Sequence, residues 1–512
     1  MKHISYWLLF LTLFPGAVLA QEDTDKKALH PCGTPAGIDP WLRKYLAAPT
    51  TYPESSDTLW AGLQIHLLGR DDGSGRFTPD RMLDAFYRLN EDFTPTGIRF
   101  YFKHPWNLIN STLWFQHDSI VQGRAMMFAN NVPGALNVYF MVRAAGNCGY
   151  NLPYAGIAMA HACSGANDHT WAHEVGHALA LPHPFLGWEG KTYNPDLPTP
   201  DTLLYDYTHF HATPDTVVPA PLDTALVEYV DGRNCAIAAD RICDTGPDYL
   251  SYRWQCNAQG MSTVQQRDPA GAPFFSDGTL FMSYAADNCQ RRFTPQQIQI
   301  MRTRLLTDRS SWLATEAPVT GLVGQTAQLI APINQAPSPV NATVLQWAPV
   351  PHATHYLVQV SKVSGYGIRD FEAVVTDTFA LATNLTPNWN YFWRVRAFNA
   401  ASVGPYSASG RFLSVSASAV QSATQAGWRF YPTLLPQGVP LAVEAPAAWR
   451  DQPLVLSVFD AAGRLVYRAE HALLSAREWL LLPTEKWTAG TYYLVCTGSQ
   501  GTVRQPLLLA KP

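Results

Sequence analysis

The residues best suited to chemistry lie in the stretch from Asp168 to His183, DHTWAHEVGHALALPH. His173 and His177 are four positions apart, so a helix sets both imidazoles on one face, one turn apart, where they can share a metal ion. Glu174 is poorly placed to ligate that ion from the same helix, but it can take a proton from a water held there, which is the general-base role. His183 follows His177 by six residues, just past Pro182. Proline lacks the amide a helix needs and biases its predecessor towards extended geometry, so the chain can bend there and return a third imidazole. Three neutral imidazoles and one water make a zinc site with an open position. HExxH alone also describes a buried amphipathic helix with incidental histidines, and it is the third histidine that favours the metal.

These groups need a scaffold. At 512 residues the chain allows two to four domains. A charged fraction of 15% and a net charge of −4 give no basic surface for nucleic acid or an anionic membrane. Lys2 followed by the apolar run WLLFLTLFPGAVLA reads as a signal peptide over 1–20, cut after Ala20, and no later stretch reaches the roughly 18 apolar residues of a membrane span. The expectation is an exported monomer, soluble or surface-attached. Residues 21–56 are polar and proline-bearing. From Leu59 the pattern becomes α/β: LWAGLQIHLLG as a strand, and a helix begun by Thr78-Pro79 with Met82, Phe86, Leu89 and Phe93 on one face. Strands follow at Ile98–Phe102, Asn137–Val142 and Gly156–Ala160, ahead of the histidine helix.

Other polar clusters admit two readings each. Cys32, in HPCGT, can fill the open metal position as a latency switch, or form an ordinary disulfide. Asp240, Asp244 and Thr245, near Cys235 and Cys243, form either a calcium loop or a turn that uses its aspartates on its own backbone. His209 and His211, in the proline-rich insertion 184–234, read as surface loop, and Asp71-Asp72 as a solvated turn. Export makes disulfides the default for the eight cysteines, and proximity suggests Cys148–Cys163 and Cys235–Cys243.

About a hundred residues past the histidines stands FMSYAADNCQRRFTPQQ. With HEVGHALALPH, NC…DRICDT and CGT, it resembles the metzincin zinc peptidases, and more narrowly their pappalysin or cytophagalysin branch, over about residues 30–312. The resemblance implies an α/β catalytic domain (57–317) with a twisted, mostly parallel sheet and an active-site helix, and substrate running along an edge strand. It also implies that Met282 underlies the zinc, that Tyr284 faces it and stabilises the oxyanion, and that Cys256 pairs with Cys289. Asp287 then bases a pocket for a basic residue after the cut bond. This chain departs from the family at Ala180, where a glycine permits positive φ, at Gly246 after Asp244-Thr245, and at Ser283.

Beyond Pro318 two all-β sandwich domains are expected. Residues 318–420, with Trp347, Tyr356, Tyr391 and Trp393 as core aromatics, resemble a fibronectin type III domain. Residues 421–512, with Tyr431-Pro432, the turn Asp460–Arg464 and Gly490-Thr491-Tyr492, resemble the C-terminal sorting domain of the type IX secretion system. That implies passage through a Gram-negative periplasm and the secretion machinery as a partner. The sequence thus points to a secreted zinc-dependent endopeptidase acting on proteins or peptides, made as a latent precursor with propeptide 21–56. The rival is a surface adhesin with a degenerate metal domain, supported only by Ala180.

Overall fold

The computed structural model describes residues 29–206, 222–341, 343–415, 427–432, 434–461, 463–472, 477–499 and 501–510. The signal-peptide stretch, His209 and His211 lie outside them. The chain divides into two compact units, Met1–Leu322 with Asn399–Val403, and Val323–Phe398 with Gly404–Pro512.

The first unit is built on β1 (Leu59–Gly69), in which only Trp60 is not buried. Such a near-continuous apolar run is what a strand covered on both faces requires. On one side β1 pairs in parallel with β2 (Ile98–Phe102) and, further along, with β3 (Asn107–Asn110). On the other it pairs in parallel with β4 (Leu136–Met141), a one-residue shift from the strand expected at 137–142. The sheet continues through β5 (Gly149–Leu152) and β6 (Gly156–Ala160) in the order β2-β1-β4-β6-β5. The β4–β6 pair is parallel, and β5 closes the sheet as an antiparallel edge. The sequence reading did not find β5, a short strand with a glycine and an asparagine and no alternating pattern.

Helix α1 (Pro40–Ala47) and helix α3 (Ile120–Asn130) also escaped that reading, although Ser119 and Gln122 give α3 a capping box. Helix α2 (Pro79–Phe93) buries Met82, Phe86, Leu89 and Phe93. The histidine helix is α4 (Thr170–Ala178), and α5 (Pro295–Leu306) starts on a Thr294–Gln297 capping box. Its inward face uses Gln297, Ile300, Met301 and Arg304. Ile298 falls one position off that face and is half-buried.

Residues 29–47 pack onto this unit. Residues 30–33 run in parallel along 146–149, the segment that enters β5: the His30 and Gly33 amides donate to the Gly146 and Gly149 carbonyls at 3.1 and 2.8 Å, and the Cys148 amide to the His30 carbonyl at 2.8 Å. Asp39 meets the buried Arg304 at 3.3 Å, and Leu42 and Tyr45 are buried.

The second unit holds two β-sandwiches. In the first, strands Thr343–Trp347 and Phe379–Ala382 face a sheet containing His355–Ser361 and Asn390–Phe398. Trp347, Tyr356, Tyr391 and Trp393 lie in its core. The second has a sheet in the order Leu434–Pro436, Gly501–Ala510, Gly490–Gly498, Pro453–Asp460, Leu465–Ala472. Its Asp460 turn closes on Arg464 with an ion pair of 2.7 Å, and Cys496 is a buried free thiol. Among the described residues, no helix is long and apolar enough to cross a membrane.

Candidate metal centre

Helix α4 sets His173 and His177 on one face and then ends in a tight reversal. The Leu181 amide reaches the Gly176 carbonyl and the Ala180 amide that of His177, both at 2.9 Å, the paired bonds of a Schellman cap. That cap demands a left-handed residue, and Ala180 adopts φ +78. Ala180 therefore keeps the turn and bears strain of about 1 kcal/mol. The reversal carries His183 back over the helix.

The three Nε2 atoms then lie 3.1, 3.1 and 3.3 Å apart. Each ring's other nitrogen faces an acceptor: the Phe281 carbonyl for His173 at 2.7 Å, the Leu181 carbonyl for His177 at 2.8 Å, and Glu189 Oε1 for His183 at 3.4 Å. Those partners place the proton on Nδ1 in all three rings, so three Nε2 lone pairs converge with no hydrogen between them. Such lone pairs repel unless a cation accepts them. For nitrogens about 2.0–2.1 Å from a tetrahedral zinc the mutual spacing is about 3.3 Å, so the trio fits that ion. Burial pushes His173 down to about 4 and His177 and His183 well below their usual range, which keeps all three neutral as ligands.

The fourth donor is Cys32. Its sulfur and the three histidine nitrogens all lie within 4.8 Å of one another, and all four residues are buried. Burial and then the nearby Glu174 push the thiol up, so without a cation the sulfur keeps its proton. The neighbours of Cys32 engage the remaining chemical groups. Thr34 donates its hydroxyl to Glu174 Oε2 at 2.8 Å and accepts the Asn151 amide at 2.7 Å. Tyr284 donates to the Cys32 carbonyl at 3.1 Å. Glu174 Oε1 is buried without a hydrogen-bond partner, and burial raises its carboxyl to about 8.

Two glycines make room for this packing. A Cβ on Gly176 would sit 2.4 Å from the Met282 sulfur, so the helix accepts Met282 against its underside between the two histidines. A Cβ on Gly149 would come within 2.9 Å of Glu174 Cγ. Behind Met282, Ser283 donates to the buried Asp248, and the Trp254 amide pairs with the Tyr284 carbonyl.

Asp287 stands at the start of α4, accepting the His169 amide at 2.9 Å, but its other oxygen faces Arg253 at 3.6 Å. It is thus half of an ion pair, not a lone acid. In the loop after Cys235, Asp240 Oδ2 and Asp244 Oδ1 are buried without partners, while Thr245 bonds Asp240 Oδ1 at 3.3 Å and the Ile242 carbonyl at 2.6 Å. Glu228 joins them: burial and then its charge raise Asp240, and burial brings Glu228 itself up to about 7. The bonded cysteines are Cys148–Cys163, Cys235–Cys243 and Cys256–Cys289, with Cys32 and Cys496 free.

Thr34, Glu189, Glu228 and Arg253 were not found from sequence. Thr34 adjoins the noticed cysteine in HPCGT. The other three come from distant or irregular segments, where no fixed spacing marks them.

No family model matches the chain, and no curated protein does. Among solved structures it is similar to the chicken CNTN1 FN1-FN3 domains, at 12% identity over 37% of this chain and 69% of that one, with a TM-score of 0.16. It is also similar to a fibronectin type III domain derived from human KIAA0970 protein, at 18% identity over 18% of this chain and 73% of that one, also with a TM-score of 0.16. The chemistry of the metal centre accordingly rests on its own geometry.

Proposed function

We propose that the chain is the latent precursor of an exported zinc-dependent endopeptidase. The observation that carries this is the convergence of three protonless imidazole nitrogens beside a buried carboxylate, with a cysteine sulfur at the fourth position. Zinc held by His173, His177 and His183 would supply Lewis acidity, polarising a peptide carbonyl and acidifying water. Glu174 takes the proton of the attacking water on its carboxylate and passes it to the departing amine. Tyr284, freed from the Cys32 carbonyl, turns its hydroxyl to the developing oxyanion. Strand β5 offers its open edge to the substrate backbone, and Met282 against Gly176 keeps the helix seated.

In the precursor, Cys32 blocks the metal, Thr34 occupies the base and the Cys32 carbonyl occupies Tyr284, so the segment around residues 30–34 silences three groups at once. Asp240, Asp244 and Thr245 are read as a calcium site, which the buried, unpartnered oxygens of the two aspartates support. A basic side chain after the cut bond reaches Asp287 only by displacing Arg253. Residues 318–420 serve as a fibronectin-type spacer and 421–512 as the type IX sorting domain.

Caseinolysis by protein cut after the pro-segment tests the reading. Activity is expected in the wild type and not in Glu174→Ala, and equal activity in both would sink it. For the calcium site, a calcium-selective chelator should lower the melting temperature by several degrees, and an unchanged melt would count against it.

A further inference from the structure

We infer that Glu189 is the positioning residue of the third ligand, fixing the tautomer and orientation of His183 and thereby the grip of the site on zinc. The inference rests on the zinc-peptidase reading and assigns a role to the start of the insertion 184–234. His173 and His177 hand their Nδ1 protons to main-chain carbonyls that the fold itself fixes, at 2.7 and 2.8 Å. His183 has no such carbonyl. Its Nδ1 faces Glu189 Oε1 at 3.4 Å, so one ligand of the three is oriented by a carboxylate side chain.

The carboxylate is itself held. Its Oε2 accepts the Gly187 amide at 2.7 Å, and the turn that brings it round requires φ +100 at Gly187. A Cβ there would also lie 2.8 Å from the Ala225 Cβ, so only glycine fits. The same turn stacks Phe185 on the His183 ring, with centroids 4.5 Å apart and planes 12° apart. The imidazole is thus steadied on its face by Phe185 and at its Nδ1 edge by Glu189. His183 therefore depends on a side chain, and not on the main chain, for the orientation that points its Nε2 at the ion.

The test is zinc affinity of the full chain, measured at neutral pH by competition with a chromophoric chelator, alongside the melting temperature of the zinc-free protein. Glu189→Ala is expected to weaken zinc binding about 10–100-fold, with the zinc-free melt unchanged. Glu189→Gln, nearly isosteric and still an acceptor, should fall between it and wild type. Wild-type affinity in Glu189→Ala would overturn the inference, and so would a loss matched by a lower zinc-free melt, which marks a merely structural role. A wild type that takes up no zinc would remove the parent reading as well, an outcome distinct from either.

Discussion

In the first unit the buried side chains include His66, His161, Glu174, Glu228, Asp240 and Asp248 beside the histidine trio, whereas among the described residues of the second no carboxylate or imidazole is buried. Its two cores, around Trp347 and Trp393 and around Trp428 and Leu456, are hydrophobic. Burying an ionisable group destabilises a fold unless a partner or a ligand compensates it. A unit that buries many carboxylates and imidazoles is shaped by chemistry, and a unit that buries Arg396 but no carboxylate or imidazole among its described residues is shaped by packing.

That contrast can be broken by paired substitutions. Glu174→Ala should reduce peptide hydrolysis about 10²–10⁴-fold and leave folding intact. Trp393→Ala, in the second unit, should cost about 3–5 kcal/mol of stability, read by denaturant melts, and spare the hydrolysis. Loss of hydrolysis in the tryptophan variant would erase the division of labour. Next comes Cys32→Ala, expected to raise the activity of the uncut chain on the order of tenfold, because a tethered blocker then lacks its strongest contact; unchanged latency would remove the sulfur from the mechanism.

Acid sharpens the comparison further. Burial lowers His66 to about 4, even though Asn137 Oδ1 lies 2.9 Å from its Nε2. The unfolded chain takes up that proton near pH 6.5 while the folded one resists to about 4, so this stability is present above 6.5 and lost as pH falls between the two values. The loss approaches about 3 kcal/mol. Melts of the first unit should therefore drop more across that window than those of the second, where among the described histidines burial lowers only His355. The smallest effect is expected for Ala180→Gly, which relieves the left-handed strain and should stabilise the first unit by about 1 kcal/mol.

Local signals carried the regular parts of this fold. A near-continuous apolar run marked β1, Thr78-Pro79 marked the start of α2, and helical spacing marked His173 and His177. Ala180 stood out only because the family this segment resembles has glycine there; the cap bonds and the φ of +78 then show why a left-handed residue is needed. What escaped depends on contacts between distant segments. Strand β5 is buried among the core around Tyr139 and Tyr150, helix α4 and residues 30–34, and nothing within GYNL says so. Thr34 meets Glu174 across 140 positions. The Asp287 side chain reads as a pocket acid until Arg253, 34 positions upstream, is brought against it. Glu189 is near His183 in sequence, but the turn that aims it exists only where Gly187 packs on Ala225.

The pairing of residues 30–33 with β5 also bears on how the protein survives before it acts. An antiparallel edge strand leaves a row of amides and carbonyls able to recruit strands from other molecules, a common route to aggregation. While the N-terminal segment occupies that rim, the rim has a partner from its own chain. Under the proposed maturation, cutting the segment away would uncover the candidate centre and open the sheet to intermolecular pairing in the same event. The cut protein would then be exposed to self-association until another extended peptide took the vacated place.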